Sequence, residues 1–233
     1  MTRYHTVLFD LDGTLIDTVD LIVESFRHAL QTHLGWHPPD SRIREGIGTA
    51  LVDQLRQHAL EAPSATAQDG GSSNDNLVDE MVSTYKEHNL RLHDDRVAAF
   101  PGVRDTLEEL AKANCRLGVV TSKNHATARR GLKVAGIDSF FSVLVGADDV
   151  EHHKPHPMPV LKALDALGAK AGGTLFVGDS PYDVEAGTRA KVTTAAALWG
   201  PFGRDAFRGG MPHFWCDDIV DVLKLFSVCF PAR

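Results

Sequence analysis

Apolar positions along the chain follow two rhythms. Tyr4 to Asp10 carries Val7, Leu8 and Phe9 as an unbroken run, which predicts a short buried strand. From Asp17 or Thr18, either of which can cap a helix, the spacing changes. Leu21, Ile22, Ser25, Phe26, Ala29 and Leu30 fall on one helical face, and Gly35 with Pro38-Pro39 ends it. Further helices are predicted over about 49–60 and 77–92. Between them, 61–76 is rich in Ala, Ser, Gly, Gln, Asn and Asp with almost no large apolar residue, the composition of a mobile loop.

After Phe100-Pro101-Gly102 the two rhythms alternate. Helices are predicted over 103–113, 126–135, 157–167, 181–190 and 217–226. Strands fall between them at 116–121, 142–145, 174–177 and 193–198. Strand–helix alternation implies βαβ units and a doubly wound parallel sheet. The predicted fold is therefore α/β, a Rossmann-like core formed by 1–17 and 97–233. The helical stretch 18–96 is an insert in the first crossover, expected to form a cap.

Composition narrows the function. A chain of 233 residues holds one large domain or a domain with an insert. The net charge of −7 argues against non-specific nucleic-acid binding, which rests on surplus Lys and Arg. Cys115, Cys216 and Cys229 are scattered and lack C-x-x-C spacing, which suits a reducing compartment. There is no long apolar leader and no apolar run near the roughly 20 residues that cross a bilayer. A cytoplasmic protein without membrane contact is expected, as monomer or homodimer.

The chemistry concentrates at the predicted strand ends, where open α/β sheets bind ligands. Asp10 and Asp12 close the first strand, and unpaired buried carboxylates there are costly without a compensating cation. Thr121-Ser122 follow the second core strand, Lys154 the third, and Gly178-Asp179-Ser180-Pro181-Tyr182-Asp183 the fourth. Asp10, Asp179 and Asp183 are oxygen ligands suited to Mg²⁺. Asp12 is placed to donate a proton to a leaving oxygen and to take one from water. Gly13 permits a tight turn that would leave backbone N–H groups for phosphate. Thr121 offers a hydroxyl, and Lys154 a compact charge for phosphate or for holding the carboxylates together. Arg44 is a candidate cap contact to substrate. Nothing in the spacing of His152, His153 and His156 fixes a transition-metal geometry, and Trp199-Gly200-Pro201-Phe202 reads as a strand terminator.

These four motifs, in this order, resemble the haloacid dehalogenase superfamily over nearly the full length, with an insert similar to its C1-type helical cap. The resemblance implies Asp10 as a nucleophile forming an aspartyl-phosphate and Asp12 as general acid/base. It implies Mg²⁺ held by Asp10, the Asp12 carbonyl and Asp179 with Asp183 in support, and Thr121 and Lys154 on the phosphoryl group. Asp12 points to phosphoryl transfer, because halide displacement needs no acid for the leaving group. No Lys lies between Arg42 and Arg56, which weakens a phosphonoacetaldehyde-hydrolase reading, and Arg44 to Thr49 matches hexose-phosphate mutases poorly. His156 stands where the family commonly has Asp. The segments 14–30 and 117–132 are similar to phosphoglycolate phosphatases and related pyrophosphatases. The expectation is a Mg²⁺-dependent phosphatase of a small phosphorylated metabolite. A pyrophosphatase, a phosphomutase and a non-catalytic regulator on the same scaffold are the alternatives.

Overall fold

The computed structural model describes residues 4–63 and 72–227. The chain enters through β1 (Thr6–Phe9), turns through β2 (Ile16–Asp17), and runs into α1 (Val19–Leu34), α2 (Asp40–Arg44), α3 (Leu51–Glu61) and α4 (Ser72–Arg96). It returns through β3 (Ala98–Ala99) and α5 (Val103–Lys112). Then follow β4 (Arg116–Val120), α6 (His125–Val134), β5 (Val143–Val145), α7 (Met158–Ala166), β6 (Thr174–Gly178) and α8 (Pro181–Arg189). The chain finishes with β7 (Thr193–Ala197), β8 (Phe214–Cys216) and α9 (Asp221–Ser227).

The main sheet has strand order β5-β4-β1-β6-β7-β8, and every neighbouring pair is parallel. β1 is central, so both of its faces must be apolar. Val7 and Phe9 pack into the cluster that includes Leu107 and Leu132, while Leu8 packs on the opposite face with Val160 and Phe176. Burial of each such side chain contributes about 1.5–3 kcal/mol. The order puts the carboxyl ends of β4, β1 and β6 side by side. Asp10, Thr121 and Asp179, far apart in sequence, are thereby gathered at one edge.

Helices α1 to α4 enclose a second core in which Ile22, Phe26 and Leu30 of α1 meet Leu55 of α3 and Val78, Met81 and Tyr85 of α4. The α1–α4 seam also carries a polar knot. Ser25 donates to the Leu21 carbonyl (2.7 Å) and accepts from the Asn89 amide (3.2 Å). At the base of the insert, β2 and β3 pair antiparallel, Ile16 opposite Ala99 and Asp17 opposite Ala98.

Several short elements were not legible. α2 starts directly after Pro39, where Pro38-Pro39 predicts only a break. β2, β3 and β8 are two or three residues long, below the length at which alternation is detectable. α4 extends beyond the predicted 77–92 at both ends, because Ser72 to Asn76 and His93 to Arg96 are too polar to show periodicity. The expected loop over 61–76 is thus shorter, since α3 reaches Glu61 and α4 begins at Ser72; its central part, 64–71, lies outside the described residues, as does Cys229. Among the described residues, no helix is long and apolar enough to cross a membrane.

Candidate active site

Asp10 leaves β1 with its N–H donating to the Val177 carbonyl (2.9 Å), which ties it to the end of β6. Asp179 follows β6, and Asp183 lies in the first turn of α8. That turn is fixed by a reciprocal cap. Ser180 Oγ accepts the Asp183 N–H (3.3 Å), and Asp183 Oδ2 accepts the Ser180 N–H (3.0 Å). Ligand oxygens of Asp10, Asp179 and Asp183 all lie within 4.8 Å of one another, and the three residues are buried.

Lys154 is the ammonium inside this cluster. Its Nζ donates to Asp10 Oδ1 (2.7 Å) and to Asp183 Oδ1 (2.6 Å). Burial works against its charge, but Asp10 and Asp183 outweigh that and hold its pKa above the ordinary lysine range. Burial pushes the Asp10 carboxyl up to about 7 despite Lys154, with Asp183 adding to the rise. Asp179 is raised well above the usual carboxylate range by burial and by its two acidic neighbours, while the Thr14 hydroxyl opposes the rise at 2.6 Å. Burial is the larger cause of both carboxyl rises, and the convergence of three carboxylates on one ammonium adds to it, which leaves the cluster short of positive charge. A divalent ion fits that deficit, and the all-oxygen donor set suits Mg²⁺.

The Asp12 carboxylate is not part of this cluster. Its Oδ1 accepts from Thr18 Oγ1 (2.6 Å) and from Lys123 Nζ (2.6 Å). Thr121, buried at the end of β4, accepts the Lys123 backbone N–H at Oγ1 (3.2 Å), which leaves its hydroxyl hydrogen free to donate. Ser122 lines the cavity, and its hydroxyl is engaged within the protein. Its Oγ donates to the Gly48 carbonyl (2.6 Å) and so ties β4 to the helical insert.

Within the turn after Asp12, the Gly13 N–H itself is engaged: it donates to the Ile16 carbonyl (3.0 Å) and does not stand free. What the position requires is glycine itself: φ is +82°, and a Cβ would fall 2.7 Å from Asp179 Oδ2. Trp199, read as part of a strand terminator, holds the same turn by donating from Nε1 to the Thr14 carbonyl (3.0 Å). Phe202 packs on the core of the insert.

A cavity of about 720 Å³ opens above these residues. Asp10, Asp12, Thr121, Ser122 and Lys123 form its floor, and Phe26, Gln54, Tyr85, Lys86 and Asn89 of the insert form its opposite wall. Lys154, Asp179 and Asp183 lie beneath Asp10, outside the lining. Arg44 is not in the lining either, because its guanidinium is paired with exposed Asp20 (2.8 Å). The His152 and His156 rings lie 4.7 Å apart at a tilt, and the His156 Nδ1 accepts the Met158 N–H (3.2 Å). Sequence reasoning missed Thr14, Thr18 and Lys123. Thr14 was visible as part of D-L-D-G-T-L, whereas the contacts of Thr18 and Lys123 to Asp12 depend on the fold.

Known proteins agree with this geometry. The haloacid dehalogenase-like hydrolase family model matches residues 7–197. The chain is 39% identical over 226 residues to pyrophosphatase PpaX of Oceanobacillus iheyensis, spanning 97% of this chain and 98% of that protein. A Bacillus cereus protein of the same name is 38% identical over 225 residues, 97% of each. Among solved structures, a hydrolase from Pseudomonas syringae superposes with TM-score 0.83 at 27% identity, covering 96% of this chain and 98% of that one. A structure described as a predicted phosphoglycolate phosphatase from Haemophilus somnus gives TM-score 0.83 at 26% identity, covering 97% and 99%. The carboxylate cluster beneath the cavity, the strand order that assembles it and the full-length match together place this chain in the haloacid dehalogenase-like hydrolase family.

Proposed function

We propose that this protein is a Mg²⁺-dependent phosphatase acting on a small phosphorylated compound, with 18–96 serving as a cap over a catalytic core. The observation that carries the reading is the charge deficit of Asp10, Asp179 and Asp183 directly under a cavity floored by Asp10 and Asp12. Asp10, Asp179 and Asp183 would hold the cation, with the Asp12 carbonyl completing the set expected from the family resemblance. When bound, it supplies positive charge against a phosphoryl oxygen and so lets a carboxylate approach an anionic substrate.

The chain's own residues do the rest. An Asp10 oxygen bonds to phosphorus while the phosphorus–leaving-group bond breaks, and Asp12 delivers a proton to the departing oxygen. Asp12 then takes a proton from water as the water oxygen bonds to phosphorus and the bond from phosphorus to the Asp10 oxygen breaks, which frees the carboxylate. Thr121 donates its hydroxyl to a phosphoryl oxygen. Lys154 keeps Asp10 and Asp183 in register from below. The insert closes the cavity from above and limits water to the molecule that reacts.

Pyrophosphate is the first substrate to test, because the two PpaX proteins match the chain nearly end to end. Phosphoglycolate is the second, from the Haemophilus somnus neighbour. Asp10→Asn should abolish phosphate release from every substrate in a screen of pyrophosphate, phosphoglycolate, sugar phosphates and nucleotides, with circular dichroism unchanged. Hydrolysis by that variant within a few-fold of wild type would sink the covalent mechanism.

A further inference from the structure

Lys123 is the one cavity-floor cation whose role the mechanism above leaves unassigned. Its ammonium and the Thr18 hydroxyl both donate to the same Asp12 oxygen, Oδ1, each at 2.6 Å. The pair is largely withdrawn from solvent, with the Lys123 and Asp12 side chains 13% and 12% exposed. Exposed ion pairs are usually weak, but screening is reduced at this depth. Lys123 is anchored in turn, since its backbone N–H donates to Thr121 Oγ1 (3.2 Å) at the end of β4. Asp12 lies just beyond the neighbouring strand, β1, and the contact therefore bridges two adjacent strand ends.

A free aspartate samples several rotamers. Two donors converging on Oδ1 select one of them and leave Oδ2 for proton exchange. General acid catalysis requires this kind of fixed approach to the departing oxygen, and lost orientation is costly in rate.

We infer that Lys123 is a positioning residue that acts through Asp12, holding its carboxyl for proton delivery to unactivated leaving groups of phosphomonoesters. The inference rests on the phosphatase reading and on Asp12 as the acid within it. It separates Lys123 from Thr121, which meets the phosphoryl group itself, and from Lys154, which lies below the cavity.

The test compares two esters of similar shape. A nitrophenolate departs without a proton, whereas a benzyl alkoxide needs one. For Lys123→Met, kcat/KM for benzyl phosphate should fall about 100-fold, while kcat/KM for p-nitrophenyl phosphate falls less than about 5-fold. Lys123→Arg should bring benzyl phosphate back to within about 10-fold of wild type, because the charge and reach are retained. Equal losses on both esters would mean that Lys123 binds the phosphoryl group, and no loss on either would mean that Asp12 needs no such support; each result overturns the inference. Should Lys123→Met lose its cooperative thermal transition, the same comparison is read from Lys123→Gln, and failure of both to fold would make the lysine structural and overturn the inference. A wild type that hydrolyses neither ester overturns it as well, while pyrophosphate hydrolysis decides the broader phosphatase reading separately.

Discussion

Lys154 Nζ donates to Asp183 Oδ1 at 2.6 Å, with both side chains only 1% exposed. This lysine therefore balances charge among the buried carboxylates of the site. Removing one partner of a buried pair leaves the other charge uncompensated, at a cost of about 3–5 kcal/mol. Lys154→Met should lower the melting temperature in chelator-treated protein. The double variant Lys154→Met/Asp183→Asn should recover part of that loss, and an equal or larger loss in the double variant would show that the pair is not the stabilising element.

The acidic cluster should also report its cation without any substrate. A ligand bound only by the folded state stabilises it by about 2.7 kcal/mol at 100 times its Kd. For a chain of this size that is a rise of roughly 5–10 °C in melting temperature. Mg²⁺ should produce such a rise, EDTA should reverse it, and Asp179→Asn should remove it. An undiminished rise in Asp179→Asn would place the cation elsewhere.

Gly48 is one point at which the helical insert touches the core motifs. Its φ is +102°, its carbonyl accepts from Ser122 Oγ, and a Cβ there would lie 2.8 Å from Ser180 Oγ. Gly48→Ala should add about 1–3 kcal/mol of local strain. Because the strain falls on the contact between insert and core, KM should rise by about 10-fold while global unfolding changes little. Steady-state kinetics beside a melting curve would distinguish this from general destabilisation, which would shift the melt and leave KM in place.

Three histidines in the insert make its stability depend on pH. His58, His88 and His93 are buried, and burial lowers each of their pKa values below the ordinary 6.5. His58 Nδ1 and His93 Nε2 lack a hydrogen-bond partner among the described residues, in keeping with neutral rings. Above pH 6.5 the rings are neutral in folded and unfolded chains alike, and the stabilisation is complete. As pH falls below 6.5 the unfolded chain binds protons first, and stability is lost progressively down through the lowered folded values. Melting temperature should therefore drop from pH 7.5 to pH 5, and His58→Phe should flatten the slope. A slope unchanged by that substitution would assign the acid sensitivity to other groups.

The centre of the sheet was legible because β1, β4 and β6 are short apolar runs that end in polar clusters. Val7-Leu8-Phe9 before Asp10, and Leu175-Phe176-Val177 before Asp179, declare both a buried strand and its functional end. The roles around Asp12 were less legible. Thr18 could be read as a helix cap and Lys123 as a surface residue, since nothing local indicates that both reach the same oxygen. At Arg44 the sequence predicts a substrate contact from a cationic residue in the cap, and the fold adds a pairing with Asp20 that local sequence does not indicate. The roles of Gly13 and Trp199 could not be read without the fold, because both depend on how closely the turn after β1 approaches Asp179 and Trp199.

The β2–β3 ribbon is small, yet it sets how the insert is connected. Asp17, where the chain leaves the core, sits opposite Ala98, where it comes back, about 5 Å away across one antiparallel step. The insert is therefore closed at its neck, and all six strands of the main sheet lie outside it in sequence. Such a neck makes the helices exchangeable. A different bundle, or a short turn, could join Asp17 to Ala98 without altering the order of the six strands or the place where their carboxylates meet. A change above the neck is thus compatible with an unchanged set of strand ends below it.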